Sequence, residues 1–414
     1  MQSKSCVVEV TDIGEARMTR LELLETIANG ENSGIEFKRD DRGSRTFGED
    51  FAKEVVAFSN FKGGKILIGV EDSGEISGLI EGGCEQWVMN ICRNLVKPGM
   101  IPYYEEIRIE EQTRVAVVHI DMGLSKPYYV ERGERRAYYI RVGSTSREAS
   151  REELGRLFQA SGAFHYDVAP IPNTSLDDLD REKLADYFEK FRGMHIDLIS
   201  EGEFRNLLIN SDIIRETEYG ELATVGGLLT FGETPQRYLM QSSISFACYA
   251  GSRISSSLLD RRDITGTLVE LIDDTVKAIK ANMRTPSEIE GLMRVERIIP
   301  DEVIREAITN AIAHRDYTIY GTNIRVFMFD DRIEFRSPGA LPNTVTVEKM
   351  KVGGTSVARN PFLVRYLVEF RRIDKLGRGV LMMFQRMAEI GAPEPELREE
   401  GEEFILTLFH PRGR

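Results

Sequence analysis

This chain is short of several things, and each shortage closes off a class of function. Its 414 residues contain four cysteines, Cys6, Cys84, Cys92 and Cys248, with no Cys-x-x-Cys pair and no Cys/His cluster. A zinc site and a disulfide framework are both excluded by that spacing, and a reducing compartment is expected. Cys84 and Cys92 read as buried helix residues. No apolar run approaches the ~20 residues of a membrane span. Met1-Gln-Ser-Lys-Ser-Cys6 has no apolar signal-peptide core. The expectation is a cytoplasmic protein with no membrane partner. Positive charge is also in deficit, with 54 Lys and Arg against 67 Asp and Glu, a net charge of -13. A protein that coats nucleic acid regardless of sequence is normally basic, so any such contact must come from a local patch. Finally, no Gly-x-x-x-x-Gly-Lys-[Ser/Thr] loop occurs, so no P-loop motor is present.

What is there suits a mixed α/β protein of two or three domains, with length enough for real cores. Leu21 to Ala28, Glu49 to Phe61, Cys84 to Leu95 and Arg151 to Ala160 read as helices. Ser33 to Lys38, Lys65 to Val70, Ile107 to Ile109, Arg114 to Asp121, Tyr128 to Glu131 and Ala137 to Val142 read as strands. Ser161 to Asp177 carries Gly162, Pro170, Pro172 and Asn173 and reads as a linker. Helices are expected over Arg181 to Phe191, Glu203 to Ile214 and Ile264 to Met283, with a strand at Ser243 to Tyr249. The domains expected are residues 18–160, a connector over 178–298, and a C-terminal domain over 299–410.

Two segments concentrate the acidic chemistry. Gly30-Glu-Asn-Ser-Gly-Ile-Glu-Phe-Lys38 holds Glu31, Glu36 and Lys38. Gly63-Gly-Lys-Ile-Leu-Ile-Gly-Val-Glu-Asp-Ser-Gly-Glu-Ile-Ser-Gly78 holds Asp72 at the end of a strand-like run. Carboxylates aimed from a sheet edge are oxygen donors of the kind Mg²⁺ or Mn²⁺ takes, and such an ion can activate water against a phosphodiester. The bland alternatives are an ordinary Asp-Ser-Gly turn and a simple Glu36–Lys38 ion pair.

These segments resemble the AlbA-like domain of the Schlafen family. The family pattern has a glutamate, then Glu-Phe-Lys, then Gly-Gly, a strand, Gly-Val-x-Asp and a Gly-x-x-x-Gly turn. Glu31, Glu36, Phe37, Lys38, Gly63, Gly64, Gly69, Val70, Asp72, Gly74 and Gly78 fall in place, and Tyr139-Ile-Arg-Val-Gly-Ser144 lies near the far end. The resemblance implies a metal-dependent endoribonuclease on tRNA or similar structured RNA, with Glu31, Glu36, Asp72 and Lys38 catalytic and the three carboxylates holding Mg²⁺ or Mn²⁺. The alternative is a non-catalytic DNA- or RNA-binding transcriptional regulator with a ligand- or ATP-binding C-terminal domain. Arg135, Arg136, Tyr139 and Arg141 are the candidate nucleic-acid contacts, through guanidinium–phosphate forks and ring stacking. Their alternative is a strand with one face in a core and solvated arginines. A homodimer, or a larger even assembly, would give one small domain enough surface to grip a folded RNA.

A second signal lies past Pro300. Asp301 reads as the cap of a helix on which Glu306, Asn310 and His314 recur every four residues and share one face. Arg305-Glu-Ala-Ile-Thr-Asn-Ala-Ile-Ala-His-Arg-Asp-Tyr317 resembles the first box of the GHKL ATPase fold, in a divergent branch labelled "RecG-like helicase". An α/β sandwich is implied, with Glu306 orienting water, Asn310 at the Mg²⁺ of ATP, and His314, Gly339, Gly377 and Gly379 as further nucleotide contacts. The aspartate that reads adenine in that family is missing from Glu334-Phe-Arg-Ser-Pro-Gly-Ala-Leu-Pro342. Bound ATP and a fold kept for packing or dimerisation therefore stand as alternatives.

Overall fold

The computed structural model describes residues 18–411 apart from 45, 81, 124, 163, 284–286, 291–292, 297, 343–344, 354–356 and 374–376. Cys6 and the segment around it lie outside the described residues. The chain divides into two compact units, Met1–Leu157 and Phe158–Arg414. Both mix helix and strand.

In the first unit the elements are α1 (Arg20–Asn29), β1 (Ile35–Lys38), α2 (Phe47–Asn60), β2 (Gly64–Ile68), α3 (Cys84–Asn94), β3 (Val96–Lys97), β4 (Tyr103–Arg108), β5 (Arg114–Ile120), β6 (Tyr129–Arg132), β7 (Arg135–Ala137), β8 (Tyr139–Val142), β9 (Thr145–Glu148) and, at its end, α4 (Arg151–Ala160). A four-stranded sheet runs in the order β1-β2-β5-β4, with β1 and β2 parallel. Alternation along β2 sends Ile66 and Ile68 into a core with Phe51, Val55 and Phe58 of α2. Leu67 goes to the opposite core, with Leu23 and Ile27 of α1 and with Phe37. α1 starts on a Thr19/Glu22 capping box. Asn60 ends α2 by donating to the Tyr128 and Tyr139 carbonyls, both at 2.9 Å, and by accepting the Tyr128 N–H at 2.7 Å. That buried amide fixes β8 against α2.

The second unit holds α5 (Arg181–Arg192), α6 (Glu201–Asn210), β10 (Ile214–Thr217), β11 (Gly220–Ala223), α7 (Val225–Phe231), β12 (Ile244–Ala250), β13 (Ser257–Ile264), α8 (Leu268–Asn282), β14 (Ser287–Glu290), β15 (Met293–Glu296), α9 (Asp301–Ala313), β16 (Ile324–Met328), β17 (Arg332–Pro338), α10 (Val347–Val352), α11 (Pro361–Glu369), α12 (Gly379–Glu389), β18 (Glu396–Glu400) and β19 (Glu403–Phe409). A six-stranded sheet has the order β13-β12-β16-β17-β19-β18. Helices α8, α9, α11 and α12 share its core.

The expected boundary near residue 298 is not a structural one. β12, β13 and α8 come from the segment read as a connector, yet β12 pairs in parallel with β16 and all share one core with α9. The expected helix from Ile264 is also shorter. It starts at Leu268, because a Thr267/Glu270 capping box sets the entry and Ile264 ends β13. Asp301 is the first residue of α9, and Pro300 is its cap.

Candidate functional site

Glu36 and Lys38 are two apart on β1 and therefore share one face of the sheet, while Phe37 points into the α1 core. The register partner of Glu36 is Ile66, so this carboxylate lies on the apolar face beneath α2. A buried carboxylate must be paired. Glu36, 6% exposed, gives one oxygen to the Lys38 ammonium and the other to Nη1 of Arg141 at 2.7 Å. Arg141 comes from β8 and its side chain has no exposed surface. The same Nη1 reaches Glu54 of α2 at 3.0 Å, while Nη2 donates to the Asn32 carbonyl at 2.8 Å and the Ile35 carbonyl at 3.1 Å. Its guanidinium lies 4.6 Å over the Phe58 ring, and Ser146 donates to Glu54. One guanidinium thus ties together the loop entering β1, β1 itself and α2.

Glu31 is half-buried and accepts the Phe37 N–H at 2.8 Å. Burial pushes its carboxyl above the usual range, and the like charges of Glu36 and Asp72 add to this, against the Phe37 N–H and Lys38. Lys38 is raised because its hydrogen bond to Glu36 and the charges of Glu36, Glu54 and Glu31 outweigh its burial. Asp72 is exposed in the turn beyond β2. That turn is brought back by Gly69, whose N–H donates to the Lys38 carbonyl at 2.8 Å and whose carbonyl accepts from Gly78 at 2.9 Å. Gly69 has φ of 98°, and a Cβ there would lie 2.9 Å from the Gly78 carbonyl carbon, so only glycine fits.

The donor set has the chemistry of a Mg²⁺ or Mn²⁺ site, but its arrangement does not fit one. Both Glu36 oxygens are taken by cations, and among the described residues no three His, Cys, Asp or Glu side chains group to hold an ion.

In the second unit, Glu306, Asn310 and His314 line a cavity of about 120 Å³ together with Gly339, Gly377 and Gly379. Asn310 donates to Glu306 Oε1 at 3.0 Å. Gly379 opens α12 so close to Glu306 that a Cβ would come 1.6 Å from the same oxygen. Arg359, buried beside them, donates to the His314 carbonyl at 2.8 Å and to the Ala340 carbonyl. Burial, aided by Arg359, lowers the His314 pKa to about 4, so its ring is neutral near pH 7. Glu334 is elsewhere. Phe335 faces the cavity, so Glu334 faces the other side of β17, bonded by Arg332 at 2.8 Å and Arg336 at 2.6 Å.

Residues 31–150 match the family described as Schlafen, AlbA_2. The first unit carries a Schlafen AlbA_2 domain. Residues 321–408 match the family described for the recG C-terminal region of ATP-dependent DNA helicases. None of the curated proteins matches the chain. Among solved structures, the DIP2311 protein from Corynebacterium diphtheriae is 22% identical, covering 92% of this chain and 76% of that one, with a TM-score of 0.45. The N-terminal domain of a RecG-related protein from Nitrosomonas europaea is 21% identical, covering 32% of this chain and 94% of that one, with a TM-score of 0.25. The two domain families point to a function on nucleic acid. Among the described residues no helix is long and apolar enough to cross a membrane.

The AlbA_2 domain thus brings Glu31, Glu36, Lys38 and Asp72 into one electrostatic neighbourhood. It does not present Arg141 to a phosphate. That expectation is corrected, because the strand alternation that pairs Tyr139 with Arg141 turns both toward α2 rather than solvent. Tyr139 packs against the α2 core. Arg135 and Arg136 are exposed, the first paired with Glu148 at 3.1 Å and the second 5.3 Å over the Tyr129 ring. Tyr129 in turn lies 5.4 Å from Tyr138. Glu54 was missed by sequence reasoning. Its one signal was a glutamate amid the apolar run of α2.

Proposed function

We propose that the AlbA_2 domain is an endoribonuclease acting on structured RNA such as tRNA, with Glu31, Glu36, Asp72 and Lys38 as its reaction centre. The observation that supports this reading is the shared electrostatic neighbourhood of three carboxylates and one lysine, in which the Glu31 carboxyl is raised. A carboxylate of raised pKa can take a proton from an attacking hydroxyl. The Lys38 ammonium opposes charge building on the phosphate. Glu36 orients Lys38, and Arg141 with Glu54 holds Glu36. Exposed Arg135 and Arg136 beside Tyr129 supply phosphate and base contacts. A Mg²⁺ or Mn²⁺ ion would have to compete with Lys38 for Glu36, and no step is assigned to it. Two copies of the chain, the commonest assembly, would enlarge the RNA-gripping surface, and light scattering measures that.

Incubation of the full chain with total tRNA, in Mn²⁺ or in EDTA, beside Asp72→Ala, tests the reading. Asp72 is exposed, so its loss spares the fold. Cleavage lost in the variant supports the site, whereas equal cleavage by both proteins removes it. The second reading is a non-catalytic DNA- or RNA-binding regulator, and what favours it is that cations hold both Glu36 oxygens. RNA binding without cleavage in either condition would select it.

A further inference from the structure

The six-stranded sheet of the second unit ends on β13, and among the described residues no strand lies on its outer side. A strand edge presents a row of backbone N–H and C=O groups to which another strand can pair. Charged side chains, lysine above all, usually guard such an edge. The charges of β13 are of a different kind. Its register against β12 shifts at Cys248/Tyr249, which leaves Leu259 with no residue opposite, so the regular stretch is Asp260 to Ile264. That stretch reads Asp-Arg-Arg-Asp-Ile, two acids and two arginines with no lysine and no proline. Alternation puts Asp260 and Arg262 on the α8 side of the sheet, where Asp260 accepts from Asn282 at 2.7 Å and pairs with Arg262 at 2.9 Å. Arg261 and Asp263 are on the opposite face, exposed and 3.8 Å apart. The sheet's other edge is unlike this one. β18 carries Glu396, Glu399 and Glu400 against Arg398, so two copies of it would repel.

We propose that β13 is the contact through which two copies of this chain pair, edge to edge and antiparallel, about a two-fold axis at Arg262. Such an axis sets residue i of one copy against residue j of the other, and j against i. Arg261 of each copy then stands directly opposite Asp263 of the other. Opposite charges so placed on neighbouring strands attract, while like charges repel. The two Arg262 side chains meet at the axis, each already paired with its own Asp260. Backbone hydrogen bonds along Asp260 to Ile264 hold the strands together, and the order of acid and base selects the register. Leu258 and Leu259, both half-exposed just before this stretch, add apolar surface beside the pair. The contact rests on the two-copy assembly of the proposed function, and it is independent of the nuclease reading.

The test is the mass of the full chain in solution by sedimentation, for the parent, Asp263→Arg and Arg261→Asp. The parent should show twice the 47.0 kDa of one chain. Each variant alone should fall to the mass of one chain, because like charges then face each other across the axis. An equal mixture of the two variants should return to twice that mass, because the basic edge of one meets the acidic edge of the other. Both substitutions are at exposed positions, and circular dichroism matching the parent's checks that the fold is kept. A parent that sediments as one chain would remove the two-copy assembly together with this contact. Variants that stay at twice the mass would leave the assembly standing and overturn β13 as its contact. A mixture that stays at the mass of one chain would also overturn the pairing.

Discussion

Arg141 lies wholly inside the AlbA_2 domain with Nη1 at 2.7 Å from Glu36 and 3.0 Å from Glu54, so that one buried guanidinium bridges two buried carboxylates, each of which also has a lysine partner, Lys38 and Lys53. Removing one member of such a group leaves charge buried and uncompensated, at a cost of about 3–5 kcal/mol. Arg141→Met should therefore destabilise this unit by that order, and Glu54→Gln added to it should return part of the loss by removing one carboxylate's charge. Trp87, the chain's single tryptophan, stacks 5.0 Å from Phe47 in the same unit, and its fluorescence in urea reads the unfolding. A loss below about 1 kcal/mol for Arg141→Met would mean that water, not Glu36 and Glu54, meets the guanidinium.

RNA affinity should instead depend on the exposed arginines. Arg136→Glu should weaken binding and reduce the salt slope by about one unit for each phosphate that is no longer neutralised. Filter binding of labelled tRNA across a salt series measures both. An unaltered slope in an Arg135→Glu, Arg136→Glu double variant would leave these side chains as solvated surface.

The grouping of Glu31, Glu36, Lys38 and Asp72 was legible because the five-residue step from Glu31 to Glu36 and the Gly-Val-x-Asp strand end are local features. Strand alternation put Glu36 and Lys38 on one face, as found. The same alternation gave the phase of Tyr139 and Arg141 but not which face lay inward, since α2 covers β8 from 79 or more residues away in sequence. Glu54 was hidden for a like reason, because its partner Arg141 cannot be seen from α2 alone. Farther along, β12 pairs with β16 across the whole of α8 and α9. Nothing local at residue 298 reveals that, so one unit was read as two. Ser257–Ile264 escaped as a strand because a charged edge strand shows no apolar alternation. The Glu306, Asn310 and His314 stripe was legible from its helical period. That Glu334 turns away from it follows from sheet register alone.

Glu31 gives a pH signature. Its carboxyl is raised in the folded chain, so the folded state holds the proton more tightly than the unfolded one. That stability is complete below the unfolded pKa and is lost as pH rises through the folded value. Glu31→Gln cannot lose a proton, so its stability relative to the parent should improve as pH rises from about 4.5. Trp87 fluorescence in urea at several pH values checks this, and a difference that is flat with pH would show that Glu31 feels neither burial nor its acidic neighbours.

Asp167 makes the sharpest test of the second unit. It is fully buried, and its Oδ2 accepts the Phe362 N–H at 2.7 Å and the Leu363 N–H at 3.3 Å at the start of α11. Oδ1 has no hydrogen-bond partner among the described residues. Burial raises the carboxyl from 3.8 to about 6, with the two N–H groups opposing. The sign matches that of Glu31. Stability is complete below pH 3.8 and is lost as pH climbs through about 6, where the buried group must become charged. Asp167→Asn keeps an oxygen for the α11 N–H groups and has no proton to lose. Its stability relative to the parent should therefore rise by up to about 3 kcal/mol across that window and then level off. Calorimetric unfolding of the two proteins at matched pH values measures the difference. If it stays constant between pH 3.8 and 6, the Asp167 carboxyl is not raised in the fold, and the N–H groups of α11 with the neighbouring His165 offset its burial in full.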